Sequence, residues 1–273
     1  MSLPQLSDRS FSRIAGLMHG AVGLSFNENK KPLMSSRLAG RLQHLGLRGF
    51  DDYAALLESP DDGGEFQMAV DLLTTNETYF FREPAHFALL QAELQRRRAQ
   101  RLAVWSAAAS FGDEAYSTAM LLADLQAQGT LGADWSVLGT DISERVLQSA
   151  VQAIYPAERL REVSPQRLKR YCLRGEGESE GLVQINQTLR RQVRFGQLNL
   201  CAPIDDIGTF DVVFLRNVLI YFDAPTKSAV VDRVLARLRP GGLFFLGTAE
   251  GRVPCRTPLT VLAPGAYRKG DAK

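Results

Sequence analysis

Beyond about residue 100, this chain alternates short apolar segments with longer amphipathic ones, and this alternation constrains the fold more than any other feature. The apolar segments are short enough for buried strands, and the segments between them repeat apolar residues at helical spacing. Strands that alternate with helices of about 10–15 residues favour a doubly wound, mostly parallel α/β sheet. The predicted strands cover 102–105, 135–139, 210–215 and 243–246, with 259–262 and 266–267 as a closing hairpin, and the predicted helices cover 113–125, a segment capped by Ser143, and 226–238 up to Pro240, Gly241 and Gly242.

The first hundred residues have a different pattern. Leucines and aromatic residues recur at near-helical spacing, and short breaks rich in glycine, proline and aspartate separate the predicted helices. We therefore divide the chain into an N-terminal helical domain (residues 1–82), a linker helix (83–100) and a sheet domain (101–273). Within the sheet domain, residues 171–195 combine several glycines with an alternating stretch, which predicts a small antiparallel β insertion.

Composition excludes several classes of protein. The 273 residues carry a net charge of +2, with 45% hydrophobic and 23% charged residues. These values are ordinary for a globular protein and do not indicate a nucleic-acid partner. Arg216 and Asn217 interrupt the longest apolar run, so we expect no membrane insertion. The first residues lack a basic segment followed by an apolar one, so we expect no secretory signal and a cytoplasmic location.

The cysteines and histidines form neither a disulfide pattern nor a metal-ligand pattern. The cysteine count is odd and no pair has C-x-x-C spacing, which argues for a reducing compartment. The histidines share no ligand spacing, so we expect no metal site. These residues are Cys172, Cys201, Cys255, His19, His44 and His86.

Three segments should meet at one edge of the predicted sheet, because ligands of open α/β sheets bind beyond the carboxyl ends of the strands. Small residues (106–112) follow the first strand and permit close approach of the backbone to a ligand. Asp141 follows the second strand, where a carboxylate accepts hydrogen bonds from a ribose diol. Residues 216–218 follow the third strand. The G-x-G-x-x-G fingerprint of dinucleotide sites is absent from the sequence.

Asp113 and Glu114 open the helix after the small-residue segment. Two carboxylates in that position would repel a phosphate and favour a cationic group such as the ammonium of an amino acid. S-Adenosylmethionine fits this combination because it has ribose, ammonium and sulfonium groups and no phosphate. The alternative is that both acids only stabilise the N-terminus of the helix.

Three segments of the chain resemble the CheR family of chemotaxis receptor methyltransferases. They read LTTNETYFFRE (73–83), WSAAASFGDEAYS (105–117) and FLRNVLIYF (214–222), and they occur in the family's order. The resemblance extends from about Phe11 to Tyr267. It implies a Rossmann-like fold that binds S-adenosylmethionine. It also implies methylation of glutamate side chains on cytoplasmic helices of chemoreceptors, giving glutamyl methyl esters and S-adenosylhomocysteine.

The resemblance also implies roles for individual residues. Tyr221 resembles the tyrosine at the family's methyl-transfer centre, and Arg82, which can hold a carboxylate bidentately, is expected to orient the ligand or the incoming glutamate; both are predicted as catalytic residues. Glu114 would lie near the amino end of the methyl donor and Asp141 at its ribose. The implied contacts to S-adenosylmethionine are Asn76, Thr78, Arg82, Glu114, Asp141, Asn199 and Leu200 at the adenine, and Asn217 and Val218 at the strand end.

Each of these positions also has a purely structural interpretation, which the sequence leaves open. Polar residues between helices commonly form turns and caps, and aromatic residues beside a strand commonly belong to the core. The alternatives are a turn and cap for Asn76 and Thr78, a cap for Asp141, a loop amide for Asn199, and core packing for Tyr221 and Phe222.

Two segments are predicted to contact a receptor. A basic stretch without acidic residues is either a solvated helix face or a surface that steers the acidic receptor bundle. The resemblance implies the second role, because it places the N-terminal helices against the receptor. Residues 174–183 (RGEGESEGLV) are similar to the loop that binds a receptor's C-terminal peptide in some members, although Gln184 and the acidic loop depart from the expected basic pattern. In the small-residue loop, Phe111 also departs from the family's sequence pattern, and we expect its side chain to narrow the loop beside the ligand. The basic stretch contains Lys30, Lys31, Arg37, Arg41 and Arg48.

Three other functions compete with methylation of glutamate. A non-catalytic receptor-binding module would keep the fold, but Arg82 and Tyr221 are intact. A nucleic-acid methyltransferase would need prolines at the strand end, and residues 217–221 contain none. A nicotinamide-dependent dehydrogenase would need the glycine fingerprint.

Overall fold

The N-terminal segment folds into a helical bundle around one apolar core. The computed structural model describes residues 5–204 and 207–270, so residues 1–4, part of the segment searched for a secretory signal, lie outside it. Ser7 caps the first helix by accepting a hydrogen bond from the Ser10 amide, and Gly23 ends that helix with φ 74°. The helices are α1 (Asp8–Val22), α2 (Lys31–His44), α3 (Phe50–Leu57) and α4 (Glu65–Leu73), followed by α5 (Pro84–Arg97).

The rest of the chain is built on a seven-stranded sheet with the order β6-β2-β1-β7-β8-β10-β9. Strands β6, β2, β1, β7 and β8 run parallel, and β10 is antiparallel to both β8 and β9. The predicted doubly wound sheet and its closing hairpin are therefore confirmed. The strands are β1 (Arg101–Ala107), β2 (Asp134–Asp141), β6 (Val193–Gln197), β7 (Phe210–Leu215), β8 (Leu238–Leu246), β9 (Leu259–Ala263) and β10 (Ala266–Lys269).

Helices connect the strands and cover the sheet. Aromatic side chains from β7 and β8 stack at its centre, with the rings of Phe214 and Phe245 4.8 Å apart. This packing fixes the positions of the strand ends, and therefore of the loops that follow them. The helices of this part are α6 (Asp113–Ala127), α7 (Glu144–Gln152), α8 (Pro165–Tyr171), α9 (Gln187–Arg190) and α10 (Ala224–Ala236).

The small antiparallel sheet differs from the predicted insertion at both ends. It consists of β3 (Ile154–Pro156), β4 (Cys172–Arg174) and β5 (Leu182–Ile185), with β5 in the middle. The sheet therefore begins before residue 171. Val193 and Phe195 do not belong to it, because β6 pairs parallel with β2 and extends the main sheet. The ring of Phe195 packs on Gly139 of β2, where no side chain stands in the way.

Helix α10 and strand β8 both begin earlier than predicted. Asp223 caps α10 by accepting a hydrogen bond from the Thr226 amide, so the helix begins at Ala224 and ends at Ala236. Pro240, Gly241 and Gly242 were expected to close the helix, but they lie within β8. The register of β7 against β8 shifts near this point, between Phe210 and Val212, which accommodates the proline.

In the described parts of the chain, no helix is both long and apolar enough to cross a bilayer. The apolar surface of its helices is instead used for packing within the bundle and against the sheet.

Candidate active site

A cavity at the carboxyl ends of β1, β2 and β7 holds every site residue that the sequence predicts. We call it the central cavity. Its empty volume is about 990 Å³, a figure that includes the solvent-filled opening. Val22 and Leu24 of the helical domain also line it, so it lies where the two domains meet. The predicted residues that line it are Asn76, Thr78, Arg82, Glu114, Asp141, Asn199, Leu200, Asn217, Val218 and Tyr221.

Asp141 closes one side of the central cavity and organises the loop after β1. One carboxylate oxygen accepts a hydrogen bond from the Ser110 amide at 2.8 Å, and the other accepts one from the Ser143 amide at 3.0 Å. Burial raises the pKa of Asp141, while these backbone amides oppose the shift. Asp141 is therefore a capping residue that also faces the cavity. Each of its oxygens keeps a second lone pair for a ligand hydroxyl.

Glu114 and Arg216 form a buried ion pair on the opposite side of the central cavity. One Arg216 Nη donates to Glu114 Oε2 at 2.9 Å, and Ser106 Oγ donates to Glu114 Oε1 at 2.7 Å. The Arg216 guanidinium is 2% exposed and lies over the rings of Phe87 and Phe214. Burial raises the pKa of Glu114 and Arg216 opposes this. Sequence analysis places Arg216 in the segment after the third strand but assigns it no role of its own, although an arginine at the end of a buried strand is a signal that could have been used.

Asp113 does not share the position of Glu114, which corrects the expectation that both carboxylates meet the ligand. Asp113 is fully buried and accepts two hydrogen bonds from Arg159, at 2.6 and 3.0 Å. Burial raises the pKa of Asp113 to about 6, although Arg159 favours the ionised form. Phe111 also points away from the central cavity: the Arg159 guanidinium lies 4.7 Å from the centre of its ring, so Phe111 does not narrow the ligand loop.

The segment that carries Asn76, Thr78 and Arg82 is fixed to both domains. Arg37 of α2 donates hydrogen bonds to the carbonyls of Leu73 and Thr74, and Ser110 Oγ donates to the Asn76 carbonyl at 3.1 Å. The Arg37 guanidinium also donates a hydrogen bond to the Thr75 hydroxyl. Arg82 donates to the Glu77 carbonyl at 2.8 Å, which leaves further N–H groups of its guanidinium for a ligand in the cavity.

Tyr221 joins the two domains at the wall of the central cavity. Its hydroxyl donates to the Thr75 carbonyl at 3.3 Å, and its own carbonyl accepts a hydrogen bond from the Ser25 amide. Burial raises the pKa of Tyr221, so the phenol is neutral near pH 7. The core alternative describes its neighbour Phe222, which is 8% exposed, better than Tyr221, which is half-buried and lines the cavity.

The Asn199 side chain has internal partners. Its amide nitrogen donates to the Ala21 carbonyl at 2.7 Å, and its amide oxygen accepts a hydrogen bond from the Cys201 amide. It therefore ties α1 to the loop after β6, as in the loop-amide alternative. Leu200 is 7% exposed and provides an apolar surface beside it. A ligand at this position would meet the Leu200 side chain and the backbone rather than the Asn199 amide.

Glu250 shapes the strand-end loop and was not identified as a site residue from the sequence. Its carboxylate accepts hydrogen bonds from the amides of Val218, Leu219 and Gly247, at 2.7 to 2.9 Å. Asn217, in the same loop, has φ 59°, a conformation that few residues other than glycine adopt. A carboxylate that gathers backbone amides stabilises such a loop, but its distance in sequence from Asn217 hides the contact.

Most side chains of the basic stretch between Lys30 and Arg48 form ion pairs or hydrogen bonds within the protein. Arg41 binds the buried carboxylate of Glu65 at 2.6 Å, and Lys31 pairs with Asp8. Lys30 differs, because its ammonium lies 5.8 Å from the centre of the ring of Tyr221, a residue that lines the central cavity. Arg37 holds the segment before Asn76, as described above, and Arg48 pairs with Asp52. Because these charges are mostly paired, they support electrostatic attraction of an acidic receptor less than the sequence suggests.

The side chains that line the central cavity match the functional groups of S-adenosylmethionine. Among residues 5–204 and 207–270, no three histidine, cysteine, aspartate or glutamate residues are grouped so as to hold a metal ion. Glu114 supplies a carboxylate for an ammonium, Asp141 for a ribose, and Arg82 an N–H fork for a carboxylate. Ala108 and Ser110 turn the loop with φ 66° and 51°, and their small side chains keep its backbone accessible.

The fold and the cavity together define the class of protein, which is a methyltransferase that uses S-adenosylmethionine. The profile described as "CheR methyltransferase, SAM binding domain" matches residues 76–259, and the one described as "CheR methyltransferase, all-alpha domain" matches residues 9–74. The chain belongs to the CheR family, which confirms the resemblance read from the sequence.

Curated relatives align with nearly the whole chain. A chemotaxis protein methyltransferase of Escherichia coli (strain K12) is 45% identical over 246 residues, which cover 90% of this chain and 85% of the relative. Its counterpart in Salmonella typhimurium is 43% identical and covers 90% and 84% of the two chains. Chemotaxis protein methyltransferase 2 of Pseudomonas aeruginosa is 42% identical and covers 89% and 86%.

Proposed function

We propose that the protein transfers a methyl group from S-adenosylmethionine to glutamate side chains on cytoplasmic helices of chemoreceptors. The relatives named as chemotaxis protein methyltransferases support the pathway. The observation that carries the proposal is the position of Arg82 and Tyr221, which line one cavity together with the carboxylates of Glu114 and Asp141. Because the target helices are cytoplasmic in the family, we place the reaction in the cytoplasm.

The reaction requires orientation more than acid–base chemistry. A glutamate carboxylate has an ordinary pKa of about 4.3, so it is ionised at neutral pH and needs no general base. When bound, S-adenosylmethionine supplies a methyl group attached to a positively charged sulfur, and this sulfur is a good leaving group. The residues of this chain therefore align the carboxylate oxygen with the methyl carbon and exclude competing water.

Arg82 and Tyr221 are the residues that we assign to alignment. The guanidinium of Arg82 has free N–H groups facing the cavity and is suited to a planar carboxylate, either of the donor or of the incoming glutamate. The Tyr221 ring provides an electron-rich face for a sulfonium, and its hydroxyl is already directed to Thr75. Lys30, beside that ring, is placed to attract an acidic substrate segment.

Three groups would hold the methyl donor in the central cavity. Glu114 would bind the ammonium, and its pair with Arg216 favours the ionised form of the carboxylate against the effect of burial. Asp141 would accept hydrogen bonds from the ribose hydroxyls with the lone pairs that its backbone partners leave free. Leu198 and Leu200 would pack against the adenine, whose flat apolar faces suit aliphatic side chains.

The small antiparallel sheet is the surface on which we place a receptor's C-terminal peptide. Strand β4 lies at its edge and pairs only with β5, so one side of its backbone is open to an added strand. Leu173 on β4 is 57% exposed, and Leu182 on β5 is also exposed. Binding a tail there would raise the local concentration of substrate without changing the central cavity.

Replacing Leu173 with aspartate should weaken tail binding and leave methylation of a tail-less receptor fragment unchanged. The reason is that Leu173 offers apolar surface at the open edge of β4, whereas the central cavity is elsewhere. The dissociation constant of a labelled tail peptide, measured by fluorescence anisotropy, should rise about tenfold or more. Val261→Asp is the matched control, since Val261 is 60% exposed on β9, away from the small sheet. Equal affinity in the Leu173 variant would contradict the tail site.

Incubation with methyl-labelled S-adenosylmethionine and a purified receptor cytoplasmic fragment tests the proposed reaction. Label should appear on the fragment and be released by mild base as methanol, because glutamyl methyl esters hydrolyse readily. A fragment in which the target glutamates are replaced by alanine serves as the control. Label that resists base, or binding of the receptor without any transfer, would contradict the proposal, and the second result would indicate a non-catalytic receptor-binding module.

A further inference from the structure

His86 is a buried titratable residue that the proposed reaction does not use. It lies in the first turn of α5, one turn after Arg82, and is 2% exposed. Its Nε2 donates a hydrogen bond to the Pro264 carbonyl at 3.0 Å, in the turn between β9 and β10. That turn passes close to the ring, because a Cβ added to Gly265 would lie 3.0 Å from His86 Nε2.

The other ring nitrogen faces a carboxylate. His86 Nδ1 lies 3.4 Å from Glu83 Oε2 without hydrogen-bond geometry, and it is buried with no hydrogen-bond partner among the described residues. Since Nε2 carries a proton for Pro264, a bare Nδ1 would direct its lone pair at a negative oxygen. A proton on Nδ1 makes the contact attractive; burial lowers the pKa of His86, and the Glu83 carboxylate opposes that shift. The neighbouring Arg216 Nη2 lies 3.6 Å from the same oxygen.

Glu83 connects this pair to the wall of the central cavity. Its Oε1 accepts a hydrogen bond from the Asn217 side chain at 3.3 Å, and its Oε2 accepts one from the Thr248 amide at 3.1 Å. Glu83 itself has φ 58°, so the backbone here is held in a conformation that a free chain rarely adopts. The Asn217 side chain also packs closely against Gly247, because a Cβ added to Gly247 would lie 2.6 Å from the side-chain nitrogen of Asn217.

We infer that His86 is a positioning residue for the methyl-donor site: it holds the Glu83 carboxylate, which in turn places the Asn217 side chain and the loop that begins at Thr248. His86 touches neither donor nor acceptor. Its effect reaches the cavity through one carboxylate with two further hydrogen-bond partners. This inference rests on the proposed function, because it concerns the affinity for S-adenosylmethionine and its product.

Two isosteric variants separate this role from simple anchoring of the β9–β10 turn. In His86→Asn the amide nitrogen replaces Nδ1, which keeps a donor for Glu83 and loses the bond to Pro264. In His86→Gln the amide nitrogen replaces Nε2, which keeps the bond to Pro264 and loses the donor for Glu83. The exposed His44→Gln is the control for the substitution itself.

We expect His86→Gln to raise the dissociation constant of S-adenosylhomocysteine, measured by calorimetry, about tenfold, and His86→Asn to leave it within about threefold. The KM for S-adenosylmethionine should rise in the Gln variant more than kcat falls. The reverse order, with Asn weak and Gln normal, would show that His86 only anchors the turn. Normal affinity in both variants would also overturn the inference.

Glu83→Gln decides the remaining cases, in which both histidine variants bind weakly or fail to fold. Glu83 is partly exposed, so this variant should keep the wild-type melting temperature. Its NH₂ group would face one of the two N–H groups that donate hydrogen bonds to the wild-type carboxylate, so one of these hydrogen bonds would be lost. About tenfold weaker product binding supports the inference, and unchanged binding overturns it. Wild-type protein that binds no S-adenosylhomocysteine would instead contradict the proposed function itself.

Discussion

Arg82→Ala should lower kcat/KM for methyl transfer by about 10²–10³-fold while the protein remains folded, because it removes the positive group that orients a carboxylate in the central cavity. Among the described residues, the guanidinium makes one hydrogen bond, to the Glu77 carbonyl, so its loss leaves no buried charge behind. Steady-state transfer to a receptor fragment measures the rate, and circular dichroism measures the fold.

Arg101→Ala is the matched control for Arg82. Arg101 is 80% exposed at the opposite end of β1 and forms an ion pair with Asp134, the first residue of the neighbouring strand β2. An exposed pair of this kind contributes little to stability, and it is remote from the cavity. The control should transfer methyl groups at the wild-type rate. Near-normal turnover in Arg82→Ala would refute the role that we assign to this arginine.

Arg216→Met should have the largest effect on stability. It removes the partner of Glu114 and leaves that carboxylate buried with one hydroxyl donor, Ser106. Breaking a buried ion pair from one side costs about 3–5 kcal/mol. Arg216 also donates to the Arg82 carbonyl, so the segment before α5 loses a second contact. Urea unfolding of the wild type and the variant measures the difference in free energy of unfolding.

The double variant Arg216→Met, Glu114→Gln tests whether the unpaired charge is the cause. Removing the charge on both sides should recover part of the lost stability, because a neutral amide costs less to bury than a carboxylate. Binding of S-adenosylhomocysteine should not recover, since Glu114 is also the group that we assign to the ligand ammonium. A double variant as unstable as Arg216→Met alone would indicate that packing against Phe87 and Phe214 dominates.

The sequence predicts the main sheet well because buried strands are marked by short apolar runs. The ends of the small sheet could not be predicted in the same way. Residues 193–195 alternate like any edge strand, and nothing local shows whether they pair with β5 or with β2. Likewise Pro240 and its glycines are typical of a turn, yet here they are accommodated at an irregular end of β8.

Most of the predicted site residues lie in the three motifs, and Asp141, Asn199 and Leu200 were predicted outside them. The separate fates of Asp113 and Glu114 were not predictable, because adjacent helical residues point about 100° apart and the sequence does not indicate which one faces the cavity. Asp113 has its partner Arg159 far along the chain. Glu250 and Glu83 act through similarly distant contacts, to backbone amides of other loops. Such groups are identified only once the fold brings them together.

A calorimetric titration of the purified protein with S-adenosylhomocysteine tests the central claim most directly, because every role assigned here depends on a sulfur-bearing nucleoside occupying the central cavity. We predict saturable one-to-one binding that is lost in Glu114→Gln, whose side chain no longer carries the charge that attracts the ligand ammonium. The absence of any binding heat, with the wild-type protein folded, would contradict the account.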